Sequence, residues 1–182
     1  MPLDYKAERI EKPNLLLIAG NGRNVGKTFL VCEIIKQISK SSEVIGVKIS
    51  SHFHPVEKKN VLCETNEFTI VEENEISEKD SSLMLQAGAV NVYFLMASQK
   101  NLRKAFLWLN KNLLSGAIVC ESGGLAELVN PGLFLFVKSS GDEIVKNNQM
   151  QFSPVIVEND GECFNFNIQN IIYDNNRFSI KQ

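Results

Sequence analysis

Short apolar runs alternate along the chain with longer amphipathic stretches. Residues 14–19 form an apolar run that ends at Gly20, which is typical of a strand buried on both faces. Within residues 26–40, Leu30, Ile34 and Ile38 recur every four positions, as on one face of a helix. Further strands are predicted at residues 44–49, 90–96, 117–120 and 133–137, and further helices at residues 80–87 and after Ser98.

The order of these elements predicts an α/β fold, with a largely parallel sheet and helices on both of its faces. Two regions depart from the alternation. Residues 55–79 are polar and acidic, and we interpret them as an insertion. Their centre at 68–71 is β-prone and apolar enough to order as a hairpin or strand. Residues 150–182 contain short strand-like pieces at 155–157, 171–173 and 178–180, which we expect to add strands at the sheet edge. Because no linker divides the chain, residues 1–182 are expected to form a single domain.

The composition narrows the class of protein. The chain has 182 residues, of which 44% are hydrophobic and 22% are charged, as in ordinary globular domains. Its net charge of −2 argues against nucleic-acid binding, which needs a clustered basic excess. Residues 1–13 lack the apolar core of a signal peptide, and no apolar run approaches the ~20 residues of a membrane helix. These features predict a soluble, cytoplasmic protein with no nucleic-acid or membrane partner.

The four cysteines, Cys32, Cys63, Cys120 and Cys163, lie far apart and form no C-x-x-C pair. Cys32 and Cys120 lie in apolar runs, and we interpret them as reduced, buried thiols. The sequence therefore predicts neither a zinc knuckle nor a redox motif.

Residues 20–28, Gly-Asn-Gly-Arg-Asn-Val-Gly-Lys-Thr, connect the first predicted strand to the first predicted helix. They match the phosphate-binding pattern G-x-x-x-x-G-K-[ST], except that Asn21 occupies the first glycine position. Asparagine tolerates positive φ well, so the backbone can still curl and direct its N–H groups at a phosphate. Lys27 would contact the β- and γ-phosphates, and the Thr28 hydroxyl would contact Mg²⁺. The predicted nucleotide-binding residues are Asn21, Gly22, Arg23, Asn24, Val25, Gly26, Lys27 and Thr28, with Lys48 from the second strand.

A magnesium-bound triphosphate also requires a carboxylate at the end of a neighbouring strand. Glu121 lies where the strand at 117–120 should end, and the following Ser-Gly-Gly leaves room for a ligand. We predict that Glu121 holds Mg²⁺ through water; the alternative is a solvated carboxylate at a strand end. Asp80 is the next candidate. The predicted metal residues are therefore Thr28, Glu121 and Asp80, and the predicted catalytic residues are Lys27, Thr28 and Glu121.

The loop at residues 22–28 resembles the loops of the P-loop NTPase class that includes dethiobiotin synthetase and the MobB-type adaptor of molybdopterin-guanine dinucleotide biosynthesis. Three further features are similar to the MobB type. They are the lysine–histidine segment at 47–54, the K-D-S and A-G-A residues within 79–89, and Glu121 at the end of a Walker B strand. Residues 121–125, Glu-Ser-Gly-Gly-Leu, are closer to the corresponding segment of dethiobiotin synthetase.

The resemblance implies a P-loop NTPase-type domain over residues 14 to about 137. It also implies a slow NTPase that binds Mg²⁺ and either ATP or GTP and that acts as a molybdenum-cofactor adaptor. One alternative is an ATP-dependent small-molecule ligase or kinase similar to dethiobiotin synthetase, in which Lys48 binds the substrate. Another is a non-catalytic module that binds a partner and holds the nucleotide as a structural ligand.

Residues 50–80 are the longest loop-like stretch, and loops of this length are usually functional or disordered. They leave the second strand at the edge where open α/β sheets bind ligands. We therefore predict that they cover the site and bind a small molecule or a protein, or form a subunit contact. His52 and His54 lie at the start of this stretch. They are either a metal-binding pair or surface histidines. Arg23 would act across the interface of a homodimer, or remain solvated.

Overall fold

A computed structural model describes residues 8–75 and 80–181, except for the side chain of Asp80. The strands in these ranges are β1 (Ile10–Gly20), β2 (Val44–Ser50), β3 (Val61–Glu64), β4 (Phe68–Glu72), β5 (Asn91–Ala97), β6 (Ala117–Glu121), β7 (Val129–Ser139), β8 (Val155–Asn159), β9 (Ile171–Asp174) and β10 (Arg177–Ile180). The helices are α1 (Lys27–Ile38), α2 (Asp80–Gln86) and α3 (Gln99–Asn112). Short 3₁₀ turns lie at Lys58–Asn60, Leu125–Glu127, Asn147–Phe152 and Ile168–Asn170.

An eight-stranded sheet runs through the centre of the protein in the order β3-β4-β5-β2-β6-β1-β7-β8. The strands from β5 to β8 in this order are parallel, whereas β3 and β4 are antiparallel additions beside β5. β1 lies between β6 and β7, and its residue Leu17 is in register with Cys120 and Phe134. Both edges of β1 are paired, and residues 14–20 are buried against the cores on its two faces, as predicted for the apolar run at 14–19.

Two apolar layers cover the sheet. Leu16 and Ile18 of β1 face a core that includes residues of α1 and α2. Leu15 and Leu17 face the opposite core, which includes residues of α3. This alternation follows from the two-residue period of a strand. The predicted α/β fold, with a largely parallel sheet, helices on both faces and extra C-terminal strands, is confirmed.

The stretch predicted to be an insertion belongs partly to the sheet. β3 and β4 form an antiparallel hairpin, and β4 pairs with β5 on its other edge. Phe68 and Ile70 of β4 are 2% and 0% exposed and belong to the core that packs against α3. The interpretation of residues 50–80 as a loop-like stretch over the site is therefore wrong for residues 61–72. The prediction that its centre at 68–71 orders as a hairpin or strand is confirmed. Pairing on both edges and burial on both faces make β4 structural.

The C-terminal strands divide into two groups. β8 lies at the sheet edge, parallel to β7. β9 and β10 instead pair with each other as a separate two-stranded sheet. Their residues Ile171 and Phe178 are buried in the core that contains α1. The expectation that residues 171–173 and 178–180 extend the edge of the main sheet is wrong, because the two strands pair with each other and Phe178 is fully buried in this core.

No helix in the described ranges combines the length and the apolar character needed to cross a membrane.

Candidate functional site

The carboxyl ends of β1, β2, β5 and β6 meet at one edge of the sheet, where open α/β sheets bind ligands. α1 begins at the same edge, directly after the loop at residues 21–26. A cavity of about 1060 Å³ opens there. Its lining includes seven of the predicted nucleotide-binding residues and the predicted metal ligand Glu121; the seven are Gly22, Arg23, Asn24, Gly26, Lys27, Thr28 and Lys48. The fold thus brings the predicted phosphate loop and the predicted metal carboxylate to one cavity.

The loop before α1 turns at Asn24 and Gly26. Asn24 has φ 60° and Gly26, the N-cap of α1, has φ 96°, both in the left-handed region. A Cβ atom at Gly26 would also lie 2.5 Å from Nδ2 of Asn159, so a larger residue there would displace that side chain. Positive φ was expected at Asn21, which is not among the residues with positive φ. That expectation is wrong, because the reversal of the chain takes place three residues later.

Asn21 contributes through its side chain instead. Its Nδ2 donates to the carbonyl oxygen of Glu143 at 2.7 Å, and its Oδ1 accepts from the backbone N–H of Val145 at 2.8 Å. Its own backbone N–H donates to the carbonyl of Val137 at 2.9 Å. Glycine, the residue that the motif expects at this position, could form only the last of these bonds. Asn21 therefore ties the predicted phosphate loop to the segment that follows β7.

Lys27 folds back over the loop. Its Nζ donates to the carbonyl oxygen of Gly22, and its aliphatic stem lies against Gly20. A Cβ atom at Gly20 would come within 2.9 Å of Cδ of Lys27 and 2.8 Å of the carbonyl oxygen of Val137. Glycine at position 20 therefore leaves room for the lysine, whose ammonium group lies over the loop.

Thr28 and Glu121 come together from different elements. Oγ1 of Thr28, in the first turn of α1, donates to Oε2 of Glu121, the last residue of β6, at 3.1 Å. Glu121 is 8% exposed, and its Oε1 lies 3.5 Å from Nζ of Lys48 on β2. Lys48 and Glu121 are in register on neighbouring parallel strands, which explains why their side chains meet. The lysine offsets the charge of a carboxylate that is nearly removed from water.

A hydroxyl and a carboxylate oxygen are ligands that Mg²⁺ prefers, and Mg²⁺ usually takes only one or two protein carboxylates. Thr28 and Glu121 therefore fit a magnesium ion. In the described ranges, no group of three or more His, Cys, Asp or Glu side chains could hold a metal. The side chain of Asp80, the further predicted metal ligand, lies outside the described part of the chain.

The remaining predicted residues occupy less central positions. His52 lines the cavity, whereas the ring of His54 stacks against Phe94 with the centroids 6.2 Å apart. These positions fit surface histidines of the loop after β2. Arg23 lines the cavity, is exposed, and makes no ion pair with any residue in the described ranges. Its action across a dimer interface stays a prediction.

One wall of the cavity comes from residues that the sequence did not indicate. Gln99 at the start of α3 and Asn148 each donate to one carboxylate oxygen of Glu127, at 2.9 and 3.3 Å. Lys146 and Gln149 lie on the same wall. The 3₁₀ turn Asn147–Phe152 carries Asn148 and Gln149, and it carries no motif. Because this wall forms through contacts distant in sequence, no local pattern could have revealed it.

The C-terminal segment supports the other side of the loop. Nδ2 of Asn159, at the end of β8, donates to the carbonyl oxygen of Val25 at 3.2 Å. The ring of Phe164 stacks on that of Phe29, with the centroids 6.0 Å apart. Val25 itself is buried. The loop is thus fixed from both sides by parts of the chain that lie more than a hundred residues away.

Cys120 directly precedes Glu121 but takes no part in its chemistry. Burial raises the pKa of the Cys120 thiol well above its usual range, and the Glu121 carboxylate raises it further. The thiol therefore stays protonated and cannot serve as a nucleophile. Cys32 is also buried, whereas Cys163 is exposed.

Thiol labelling in the native protein is therefore expected to begin at Cys163. Its hydrogen bond to Asp160, together with the negative charge of that carboxylate, raises the pKa of the Cys163 thiol. Removing the charge with Asp160→Asn should lower this pKa and speed labelling at pH 8, because the thiolate is the reactive form. Asp174→Asn, at an exposed residue of β9, is the control. Stopped-flow labelling with a disulfide reagent measures the rate, and faster labelling at Cys120 than at Cys163 would contradict the burial argument.

No protein-family model matches the chain, and no curated protein matches it. Among solved structures, the chain is similar to the kinase domain of the Escherichia coli tyrosine kinase ETK, with a TM-score of 0.41 and 14% sequence identity. The similarity covers 80% of this chain and 65% of that one, so the chain spans less than two thirds of the length of the protein it matches. At this level of similarity, only the chain's own residues bear on its function.

Proposed function

We propose that this protein binds a nucleoside triphosphate together with Mg²⁺ in the cavity at the carboxyl edge of the sheet and hydrolyses it slowly. The observation that carries the proposal is the hydrogen bond of 3.1 Å between Thr28 and Glu121, beside a lysine that folds over a glycine-rich loop. A strand, a loop and a helix in this order bind phosphate in P-loop proteins.

Each residue has a definable role in this proposal. The N–H groups of the loop and of the first turn of α1 would donate to phosphate oxygens, helped by the positive end of the helix dipole. Lys27 would exchange its bond to the Gly22 carbonyl for the β- and γ-phosphates. Catalysis of phosphoryl transfer consists mainly of positioning and charge stabilisation, which these residues would supply.

Thr28 and Glu121 are the residues that would hold Mg²⁺, through the hydroxyl directly and through the carboxylate by way of water. When bound, the ion supplies positive charge that neutralises the phosphate oxygens. Lys48 would stay within reach of Glu121 and keep its carboxylate oriented toward Thr28.

Glu121→Gln is expected to reduce magnesium-dependent nucleotide affinity at least tenfold while changing metal-free nucleotide binding little. The amide keeps the shape of the side chain but loses the charge that attracts the ion. Titration of a fluorescent nucleotide with Mg²⁺ and with EDTA measures both affinities. Glu127→Gln, which changes a carboxylate farther along the same cavity, is the control.

Two other results would redirect the assignment. If Glu121→Gln lowers the nucleotide affinity both with Mg²⁺ and with EDTA, the carboxylate has a structural role in its contacts with Lys48 and Thr28. If neither falls, the metal carboxylate lies elsewhere, and Asp80 is the next residue to change.

We further propose a role like that of the MobB-type adaptor of molybdenum-cofactor biosynthesis. The proposal is supported by the resemblance at residues 22–28, 47–54 and 79–89, and by Lys48 lying beside Glu121 at the cavity. Turnover of ATP and of GTP, compared at equal concentration, tests the nucleotide. Low turnover that no small acid stimulates supports the adaptor, and the absence of turnover with tight binding supports the non-catalytic module.

A small-molecule ligase or kinase similar to dethiobiotin synthetase is the second candidate, and the size of the cavity favours it. Ligand pockets usually measure about 300–1,000 Å³, and this cavity of about 1060 Å³ continues past the loop to Ser50, Gln99 and Gly124. That volume leaves space beyond the phosphate loop for a second reactant. Release of nucleoside diphosphate that rises severalfold on adding a small carboxylic acid would support this candidate.

A further inference from the structure

Phe29 is an aromatic side chain on the exposed face of α1. It is 62% exposed, whereas the residues of α1 that pack on the sheet are buried. A single exposed apolar side chain is common on protein surfaces. Phe29, however, directly follows Thr28 and lines the same cavity as Lys27 and Thr28. A molecule bound in this cavity against Lys27 and Thr28 therefore has an open aromatic ring within its reach.

A second ring holds Phe29 in place. The ring of Phe164 lies against it, with the two planes at 24° and the centroids 6.0 Å apart. A Cβ atom at Gly26 would lie 3.2 Å from Cζ of Phe164, so the second ring lies next to the loop before α1. Asn159 bonds to the carbonyl oxygen of Val25 in the same loop. The two rings, here called the aromatic platform (Phe29 and Phe164), are thus fixed relative to the glycine-rich loop.

The cavity offers one other aromatic side chain. Among the cavity-lining residues in the described ranges, Phe29 and His52 carry the aromatic rings. None of the contacts between rings in those ranges involves His52, so no neighbouring ring orients its imidazole. Phe29 is therefore the side chain on which a planar group of a ligand would stack at a defined position.

The polar side chains beside the aromatic platform already have partners in the protein. Glu33, one turn along α1 from Phe29, accepts from Lys36 at 2.6 Å. Asn159 uses Nδ2 for the loop and Oδ1 for the backbone N–H of its own turn. Oδ1 of Asp160 accepts two backbone N–H groups. A planar ligand group here thus meets the face of a ring beside polar groups that are already hydrogen-bonded.

We propose that Phe29, supported by Phe164, stacks on the base of the bound nucleotide, and that the site accepts different bases. Aromatic side chains bind bases without strict choice, because every base has a π face. The proposal rests on the proposed function, since Lys27 and Thr28 must hold the phosphates for the base to meet Phe29. It adds the residue that binds the base, and it names the ligand class as nucleoside triphosphates bound without strict choice between adenine and guanine.

The test compares ligands that share the phosphates and differ in the base. Non-hydrolysable analogues of ATP and GTP are titrated into the full chain with Mg²⁺ by isothermal titration calorimetry. Inorganic tripolyphosphate, which has no base, is titrated in parallel. The wild type should bind both analogues with affinities within about tenfold of each other and at least about fivefold more tightly than tripolyphosphate, because stacking a base on an aromatic ring usually contributes this factor or more.

Phe29→Ala should weaken both analogues at least about fivefold and leave tripolyphosphate within about twofold of the wild type, because only the base loses its partner. Phe29→Leu keeps the apolar bulk without a π face and should behave like Phe29→Ala, whereas Phe29→Trp should bind at least as tightly as the wild type. Leu107→Ala, at an exposed residue of α3 outside the cavity lining, is the control and should change nothing. Circular dichroism checks that each variant is folded, and Phe29→Leu decides if Phe29→Ala is not.

Four results would overturn the inference. Wild-type binding of tripolyphosphate as tight as that of the ATP analogue would show that the base is not bound. Unchanged analogue affinity in Phe29→Ala would place the base elsewhere, and a loss in His52→Ala would then assign it to His52. An equal loss of tripolyphosphate in Phe29→Ala would mean that Phe29 shapes the loop. A preference of more than about tenfold for one analogue would show that the edge of the base is read, since stacking alone does not discriminate so strongly.

Failure of the proposed function would give a different result, because the wild type would then bind neither the nucleotide analogues nor tripolyphosphate.

Discussion

Lys27→Ala is expected to weaken nucleoside-triphosphate binding by a factor of ten or more. Charge-assisted hydrogen bonds contribute about 1.5–3 kcal/mol each, and each 1.4 kcal/mol is about tenfold in affinity. The structure adds a second reason, because the Lys27 ammonium already lies over the loop at the Gly22 carbonyl and needs little rearrangement to meet a phosphate. Titration of a fluorescent nucleotide against both proteins measures the effect.

Lys40→Ala is the matched control, since Lys40 follows α1 and is exposed. The stability of the Lys27 variant should stay close to that of the wild type, because the side chain is only half-buried. Equal nucleotide affinity in Lys27→Ala and the wild type would remove the phosphate-loop assignment.

Ile70→Ala is expected to lower the free energy of unfolding by about 2–5 kcal/mol, the usual cost of truncating a fully buried isoleucine. Ile70 is 0% exposed and lies on β4, within the stretch predicted from the sequence to be an insertion. Deleting residues 58–72 with a short Gly-Ser bridge should abolish folding altogether, because it removes β3, β4 and their share of the core. Urea denaturation followed by circular dichroism measures the stability.

Leu62→Ala on β3 is the control for Ile70, because Leu62 is 40% exposed and its truncation should cost less than about 1 kcal/mol. A deletion variant that folds and still binds nucleotide would show that residues 58–72 are peripheral, as the sequence alone suggested.

Much of the site follows from local sequence. The apolar run before Gly20, the glycine-rich loop and the apolar period of α1 identify strand, loop and helix without any tertiary information. The position of Glu121 was predictable for a related reason. Glu121 ends an apolar run, which predicts the end of a strand. The neighbouring parallel strand β1 ends at the same edge of the sheet and leads to α1, so the Glu121 carboxylate reaches Thr28.

The role of Asn21 shows where local reasoning failed. Its departure from the motif was explained by backbone tolerance, which depends on the residue type alone. The structure instead uses its side-chain amide to bind the backbone of Glu143 and Val145, more than a hundred residues later. No pattern near Asn21 contains that information.

The other features of the protein also divide into those that local sequence determines and those that tertiary contacts determine. Hydrophobic period and glycine placement determined the α/β class, the glycine-rich loop before α1 and the carboxylate at the end of β6, because each depends on neighbours within a few residues. Tertiary structure alone decided that β4 is core, that β9 and β10 leave the main sheet, and that Lys146 and Gln149 line the cavity. A short apolar segment is compatible with several positions in a fold. The apolar surface that it buries against residues distant in sequence decides which position it takes.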